Sequence, residues 1–222
     1  MTPIQAFLSR TTCLLTLVFA AQVHAQEGKP NAHEVVRAAT EQVMDVVREA
    51  ETYADAEPER YYAAVLGVLD PVVDFRGFAR GVMGPYATSE RYRSLDEAGR
   101  EKLRAQLDQF TEVMRDGLVR TYSKGLLAFG GSRIELSDPD DEAEDQRRAT
   151  VKQLIYSEQT EPYVVMYQMG LDRSGDWKLR NMIIESVNLG EIYRNQFESA
   201  ARRYGGDLDQ VIANWTVEEL DT

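Results

Sequence analysis

Tyr163-Val-Val-Met-Tyr-Gln-Met-Gly-Leu171, then Asp172-Arg-Ser-Gly-Asp176, then Trp177-Lys-Leu-Arg-Asn-Met-Ile-Ile-Glu-Ser-Val187 is the stretch on which the fold turns. Aromatic and β-branched residues are dense on both sides of Asp172 to Gly175, which has the composition of a hairpin loop, so the stretch reads as two antiparallel strands. Upstream, Thr150 to Tyr156 has the same composition, and so does Ile134 with Leu136. Three or four antiparallel strands are therefore predicted across residues 132–187. The charged segment Asp138 to Arg148 reads as a solvated loop between the first two.

On either side of this window the apolar period is helical. Asn31 with Glu34 has capping-box spacing, and Val35, Val36, Ala39, Val43, Val46, Val47 and Ala50 follow at helical intervals, which predicts a helix over 32–52. A second helix follows Pro58 with Tyr61, Tyr62, Val65, Leu66 and Leu69. Because proline suits a helix start, Asp70 reads as an N-cap and Val72 to Val82 as a new helix ended by Gly84-Pro85. Ser94 with Glu97 forms another capping-box pattern. It precedes the longest helix, carrying Leu103, Leu107, Phe110, Met114, Leu118, Tyr122 and Leu126 and stopped by Gly130-Gly131. Ile192, Phe197, Ala200 and Ala201 restore the helical period, and a short helix is expected around Leu208 to Trp215. A helical part (32–130), a sheet (132–187) and terminal helices (189–215) make an α+β domain over 26–222, with the sheet packed on helices.

The first residues read as an export address. Arg10 is the one early charge, Cys13 to Ala21 is apolar, and Val23-His24-Ala25 has the small-residue pattern of a signal-peptide cleavage site. The apolar run is shorter than the roughly 20 residues that span a bilayer. Residues 1–25 are therefore expected to be a signal peptide, which leaves 197 of the 222 residues and no cysteine. That excludes disulfides, thiolate metal sites and a cysteine nucleophile from the mature chain, and it suits an oxidising compartment. Without Arg10, 24 basic residues face 37 acidic ones, a formal charge of −13. No basic face for a phosphate backbone is present in this composition, so nucleic acid is not an expected partner.

Catalytic constellations are equally scarce. The expected mature chain holds one histidine, His33, beside a helix N-cap, and no phosphate-cradling glycine loop. Asp70 and Asp74 lie four residues apart, but an N-cap role for the first and an ion pair with Arg76 or Arg80 for the second account for both. Glu185 reads as a strand-end carboxylate meeting Arg194 or another base. No cofactor, metal site or catalytic residue is assigned, and the chain is not expected to be an enzyme. A small-molecule enzyme on a cone-shaped sheet, with Asp74 or Glu185 facing a cavity, and an adaptor with a filled core stand as alternatives.

Several large adaptable side chains, among them Met83, Met114, Met166, Met169, Trp177 and Met182, fall on the long helix and the hairpin. They suit either an ordinary helix-on-sheet core or an apolar pocket. Four stretches then carry a resemblance: Asp70-Pro-Val-Val-Asp-Phe75 with Phe78-Ala-Arg-Gly-Val-Met-Gly-Pro-Tyr86; Phe110 through Tyr122; Val164-Val-Met-Tyr-Gln-Met169 with Trp177-Lys-Leu179; and Glu185-Ser-Val-Asn-Leu189 ahead of Tyr193-Arg-Asn-Gln-Phe197. In order and spacing they resemble the periplasmic MlaC, or toluene-tolerance, family over about residues 34 to 215. Departures are Tyr86 for a tryptophan, Asn181 for an aspartate, Ser186 and Asn188 for glycine and serine, and a longer segment from Ala87 to Asp96. A hopanoid-associated branch of the same family fits these departures too.

The resemblance implies a phospholipid-binding shuttle in the periplasm, holding glycerophospholipid acyl chains in an apolar pocket between a curved sheet and helices. It implies exchange with an outer-membrane lipoprotein complex and with an inner-membrane ABC transporter that has an MCE-domain partner. Such a system maintains outer-membrane lipid asymmetry. The pocket wall is expected at Val82, Met83, Phe110, Met114, Leu118, Val165, Tyr167, Trp177, Leu179 and Ile183, the inward positions by helical and period-two spacing. A one-residue slip would substitute Val164, Met166 and Met182.

Overall fold

The computed structural model describes residues 29–128, 133–137, 147–156 and 161–217. The expected signal peptide, the Gly130-Gly131 helix stop and most of the Asp138 to Arg148 loop lie outside the described residues. Helix α1 (Ala32–Ala50) starts at the expected capping box: the Asn31 side chain accepts from the Glu34 N–H at 2.9 Å, and the Glu34 carboxylate accepts from the Asn31 N–H at 2.8 Å. Helix α2 (Pro58–Leu69) has proline in its first turn, where the missing N–H removes no helical bond.

The next helix departs from expectation. Asp70 is the C-cap of α2, and its carboxylate lies 3.7 Å from Arg115. Residues 70–72 turn, the Val72 N–H donating to Leu69 O at 2.9 Å, and Val73 then forms a single bridge beside Leu179: the Leu179 N–H donates to Val72 O at 2.9 Å, and the Asp74 N–H donates to Leu179 O at 3.0 Å. This bridge satisfies sheet-edge groups that a helix from Val72 would leave bare. Helix α3 (Phe75–Met83) therefore begins three residues later, capped by Asp74 accepting from the Gly77 N–H at 2.9 Å. A 3-10 turn (Gly84–Ala87) follows, entered through Gly84 at φ 53°, a conformation that favours glycine.

A short helix α4 (Ser89–Ser94), capped by Thr88, occupies the stretch noted as long. Asp96, and not Ser94, accepts from the Gly99 N–H at 2.8 Å at the start of α5 (Glu97–Ala128). With 32 residues, α5 is the longest described element.

Strands β1 (Arg133–Leu136), β2 (Arg148–Tyr156), β3 (Tyr163–Leu171), β4 (Trp177–Ile184) and β5 (Val187–Asn188) form an antiparallel meander in that order. The sheet is open, and its fifth strand is the two-residue end of the stretch first read as one strand. Glu185 and Ser186 join β4 to β5 in a two-residue turn with φ of 48° and 70°, the positive-φ pair that such hairpins require. Helices α6 (Leu189–Arg203) and α7 (Leu208–Ala213) complete the described chain.

Apolar packing divides into three clusters, whereas a domain commonly has one contiguous core. The first joins α3, α5, α6 and α7 around Phe110, Met114, Tyr193 and Phe197. The second joins α1, α2 and α5 around Val43, Val47, Tyr61 and Val119. The third seats the first turns of α1, at Ala32 and Val36, on Ala149, Val151 and Met169 of the sheet.

Candidate functional site: the helix-facing side of the sheet

Cross-strand register defines which side chains share the helix-facing side. Val151 on β2 pairs with Tyr167 on β3, which pairs with Met182 on β4; Gln153 pairs with Val165, which pairs with Ile184. Between Gln168 and Met169 the register shifts, so that Asn181 faces Gln168 while Leu179 faces Met169, leaving Arg180 as the extra residue of a β-bulge. Across the bulge the inward set changes from odd to even numbers. Trp177 and Leu179 share their face with Met182 and Ile184, and Ile183 points away from the helices.

This corrects the expected wall at Ile183, and it also excludes a simple slip, since Val164 and Met166 share the outer face with Ile183. The sequence carries a trace of the bulge. Arg180 and Asn181 are consecutive polar residues in an otherwise alternating strand, and both lie outward. Asn181 donates to Gln168 and Asn188, each at 2.9 Å, and accepts from the Gly190 N–H at 3.0 Å. Arg180 forms an ion pair with Asp74. The carboxylate expected to meet Arg76 or Arg80 thus meets the bulge; Arg76 pairs with Asp108 instead. Glu185 does not meet Arg194 either. Its carboxylate accepts from the Val164 N–H, and Arg194 donates to Gly81 O at 2.9 Å.

The remaining expected positions fall into distinct groups. Val82, Met83, Phe110 and Met114 are sealed in the first cluster with no exposed surface. Leu118 is half-buried and touches both the first and second clusters. Tyr167, Trp177 and Leu179 border the third, and Val165 is buried on the same sheet face. The structure brings the strand positions together, with Met182 and Ile184 added, and gives the four helix positions to a filled interior.

All eight residues of β4 are half-buried; β5 flanks the strand only at Ile183 and Ile184, and the rest of its outer edge carries the single bridge from Val73 to Leu179. Its helix-facing residues therefore keep accessible surface while packing on two clusters, Met182 and Ile184 on the first and Trp177 and Leu179 on the third. Tyr167 shows the same condition differently. Surrounding protein pushes its phenol well above the usual range by desolvation, while the side chain keeps accessible surface.

Polar groups on this face are paired. Tyr167 donates to Gln153 Oε1 at 2.7 Å, and Gln153 Nε2 donates to Thr40 on α1 at 2.9 Å. The Tyr122 and Tyr193 hydroxyls lie 3.0 Å apart where α5 meets α6, and burial together with this hydrogen bond raises the Tyr193 pKa far above its ordinary value. Thr40, Gln153 and Ile184 were not singled out in the sequence, and Met182 entered the expected wall only under a one-residue slip. Among the described residues, no group of three or more His, Cys, Asp or Glu side chains is placed to hold a metal ion. No helix there is long and apolar enough to cross a membrane. Two surface grooves, one between α5 and α7 beside Lys102 and Asp209 and one along α6 beside Gln196 and Trp215, lie apart from the sheet's inner face.

The architecture is thus an α+β fold in which helices pack on one face of an open antiparallel sheet. Residues 37–217 match the MlaC protein family, and the chain belongs to that family. It is 29% identical over 186 residues to the toluene tolerance protein ttg2D of Pseudomonas putida, covering 84% of this chain and 80% of that one. The fold is similar to that of a phospholipid-binding protein from Ralstonia solanacearum solved in complex with a phospholipid. The TM-score is 0.64 at 18% identity, over 83% of this chain and 94% of the other.

Proposed function

We propose that this protein is a periplasmic phospholipid carrier that takes acyl chains into the space between β2–β4 and helices α1 and α5. One observation carries the reading: Met182 and Ile184, helix-facing residues at the end of β4 that β5 flanks, keep accessible surface beside α6, while Trp177 and Leu179 pack on the third cluster. Family membership and the lipid-bound structural relative support it. The apolar run from Cys13 to Ala21, read as part of a signal peptide, supports the compartment.

The energetics suit a shuttle. Each methylene exposed to water costs about 0.8 kcal/mol, so two acyl chains do not leave a bilayer unaided at a useful rate. An apolar enclosure returns most of that free energy and leaves exchange near balance. Net direction then comes from a partner that hydrolyses ATP; in this proposal the protein exchanges lipid with an inner-membrane ABC transporter carrying an MCE-domain subunit and with an outer-membrane lipoprotein complex. The protein itself performs no chemical step. Asp74 and Glu185, the carboxylates that an enzymatic alternative would use, are committed to structural bonds.

Tail burial, rather than headgroup charge, governs affinity in this proposal. Two basic residues beside the sheet are committed to backbone carbonyls: Lys178 donates to Pro71 O at 2.5 Å and Arg194 to Gly81 O. Occupancy should therefore depend weakly on salt, which screens exposed charge far more than apolar contact. The test is lipid extraction from protein purified out of a Gram-negative periplasm at low and at high salt. About one phospholipid per chain under both conditions is expected; protein devoid of phospholipid, also after incubation with vesicles, would refute the proposal.

A further inference from the structure

Thr40, Gln153 and Tyr167 form a polar chain that runs diagonally from β3 through β2 to α1: Tyr167 lies opposite Val151, and Gln153 one inward position further on, opposite Val165. On α1, Thr40 lies one turn beyond Val36 of the third cluster and one turn before Val43 of the second. On β2, Gln153 follows Val151, the last fully packed member of the third cluster, and precedes the half-buried Ile155. On β3, Tyr167 follows the same boundary beside buried Met169. The three side chains are joined by hydrogen bonds of 2.7 and 2.9 Å, running from the sheet across to the helix. A polar layer therefore crosses between sheet and α1 where the filled third cluster ends.

We propose that this layer is the floor of the acyl-chain cavity and sets the chain length of the phospholipid it takes. The inference rests on the carrier reading given above. Two physical features make the layer a stop. The Tyr167 ring packs on the third cluster opposite Val151, and its hydroxyl is held by Gln153, which is itself buried at 2% exposure and held by Thr40. Advancing a methyl terminus through the layer would break these bonds and strand buried polar atoms, which is more costly than leaving the terminus where it is. The Tyr167 phenol stays neutral, because burial raises its pKa, so the layer presents a dipolar floor without charge. Chains long enough to reach Tyr167 fit; longer ones must fold back or protrude.

The test is competition between dimyristoyl and distearoyl phosphatidylglycerol in mixed vesicles, with bound lipid read by native mass spectrometry. Wild type is expected to favour the shorter chain relative to Tyr167→Ala. The variant's stearoyl-to-myristoyl ratio should rise about tenfold, the shift that two further buried methylenes give. Ile183→Ala, a truncation on the opposite sheet face, should leave the ratio at the wild-type value. Tyr167→Leu, which keeps apolar bulk but removes the ring and hydroxyl, should shift the ratio in the same direction and serves if Tyr167→Ala does not fold. An unchanged ratio in the folded Tyr167 variant would overturn the floor. Failure of wild type to bind either lipid would instead overturn the carrier reading.

Discussion

The Arg180 guanidinium is ion-paired with the Asp74 carboxylate, and the two meet because β4 bulges at Arg180. Asp74 also caps α3, so one carboxylate ties the start of a helix to the irregularity that decides which β4 residues face the helices. The pair is partly exposed, with side-chain exposures of 37% and 23%, which limits its Coulombic worth. Replacing Asp74 by alanine removes cap and pair together and should cost about 1–2 kcal/mol, most of it from the cap. Asp74→Asn keeps a capping oxygen and should cost less than half as much. Urea unfolding of both variants measures the difference; equal losses would mean that the cap contributes nothing.

Ser186 adopts a left-handed backbone at φ 70° in the turn from β4 to β5. A side chain there costs about 1 kcal/mol relative to glycine. Ser186→Gly should therefore raise the melting temperature by about 2–4 °C in a chain of this size, with lipid occupancy unchanged. A lowered melting temperature would contradict the strain assigned to this turn.

Tyr61 is 1% exposed and donates to the Ser123 carbonyl at 2.9 Å, and burial pushes its pKa up to about 12. The unfolded phenol ionises near pH 10 and releases its proton there, while the folded one holds it. Stability should thus be complete below pH 10 and fall as pH rises from about 10 to 12, with Tyr61 alone contributing a slope of about 1.4 kcal/mol per pH unit. Tyr61→Phe should flatten that slope. A slope identical to wild type in alkaline denaturation would place the titration elsewhere.

Val217 lies against Gly117 so closely that a Cβ there would come within 2.5 Å of Val217 Cγ2, and the Thr121 hydroxyl donates to Val217 O at 3.1 Å. Trp215, just before, packs edge-on to Phe110 with ring centroids 5.2 Å apart. Gly117→Val should displace this terminal segment from α5 and red-shift Trp215 emission, read in a Trp177→Phe background. Unshifted emission would show that the segment is held without the Gly117 notch.

The helical half of the fold was legible because its signals are local. Asn31 and Glu34 bond as their spacing predicts, Pro58 opens α2, and the apolar ladder from Leu103 to Leu126 lies on one continuous helix. Residues 72–74 were misread because proline and the valines that follow fit either a helix start or a turn into an edge bridge, and only the open side of Leu179 decides between them. The candidate site was legible as a hairpin face but not in detail. Period two places Ile183 inward until one extra residue, Arg180, reverses the parity, and the partner that accommodates it, Asp74, is far away in sequence. Nor does spacing tell a filled interior from a lined one: Met83 and Met114 have the same residue type as Met182, yet they are sealed while Met182 is half-buried.

Carboxylates on the helix side separate these cases further. Met114→Glu would place a charge in a sealed core and should unfold the protein, whereas Leu118→Asp, at a half-buried junction of two clusters, should leave a folded protein that no longer holds lipid. Circular dichroism with lipid extraction tells the two apart. A folded, fully loaded Leu118→Asp protein would remove α5 from the wall.

Met182 and Ile183 are neighbours in sequence on opposite faces of β4, so native mass spectrometry of Met182→Glu beside Ile183→Glu, each purified from the periplasm, puts the central claim to the most direct test. A carboxylate at Met182 would stand unpaired among the apolar side chains of the lipid space and should empty it, while one at Ile183 would stand on the outer face and leave the phospholipid in place. Loss of lipid from the Ile183 variant with full occupancy in the Met182 variant, or full occupancy in both folded proteins, would contradict the account.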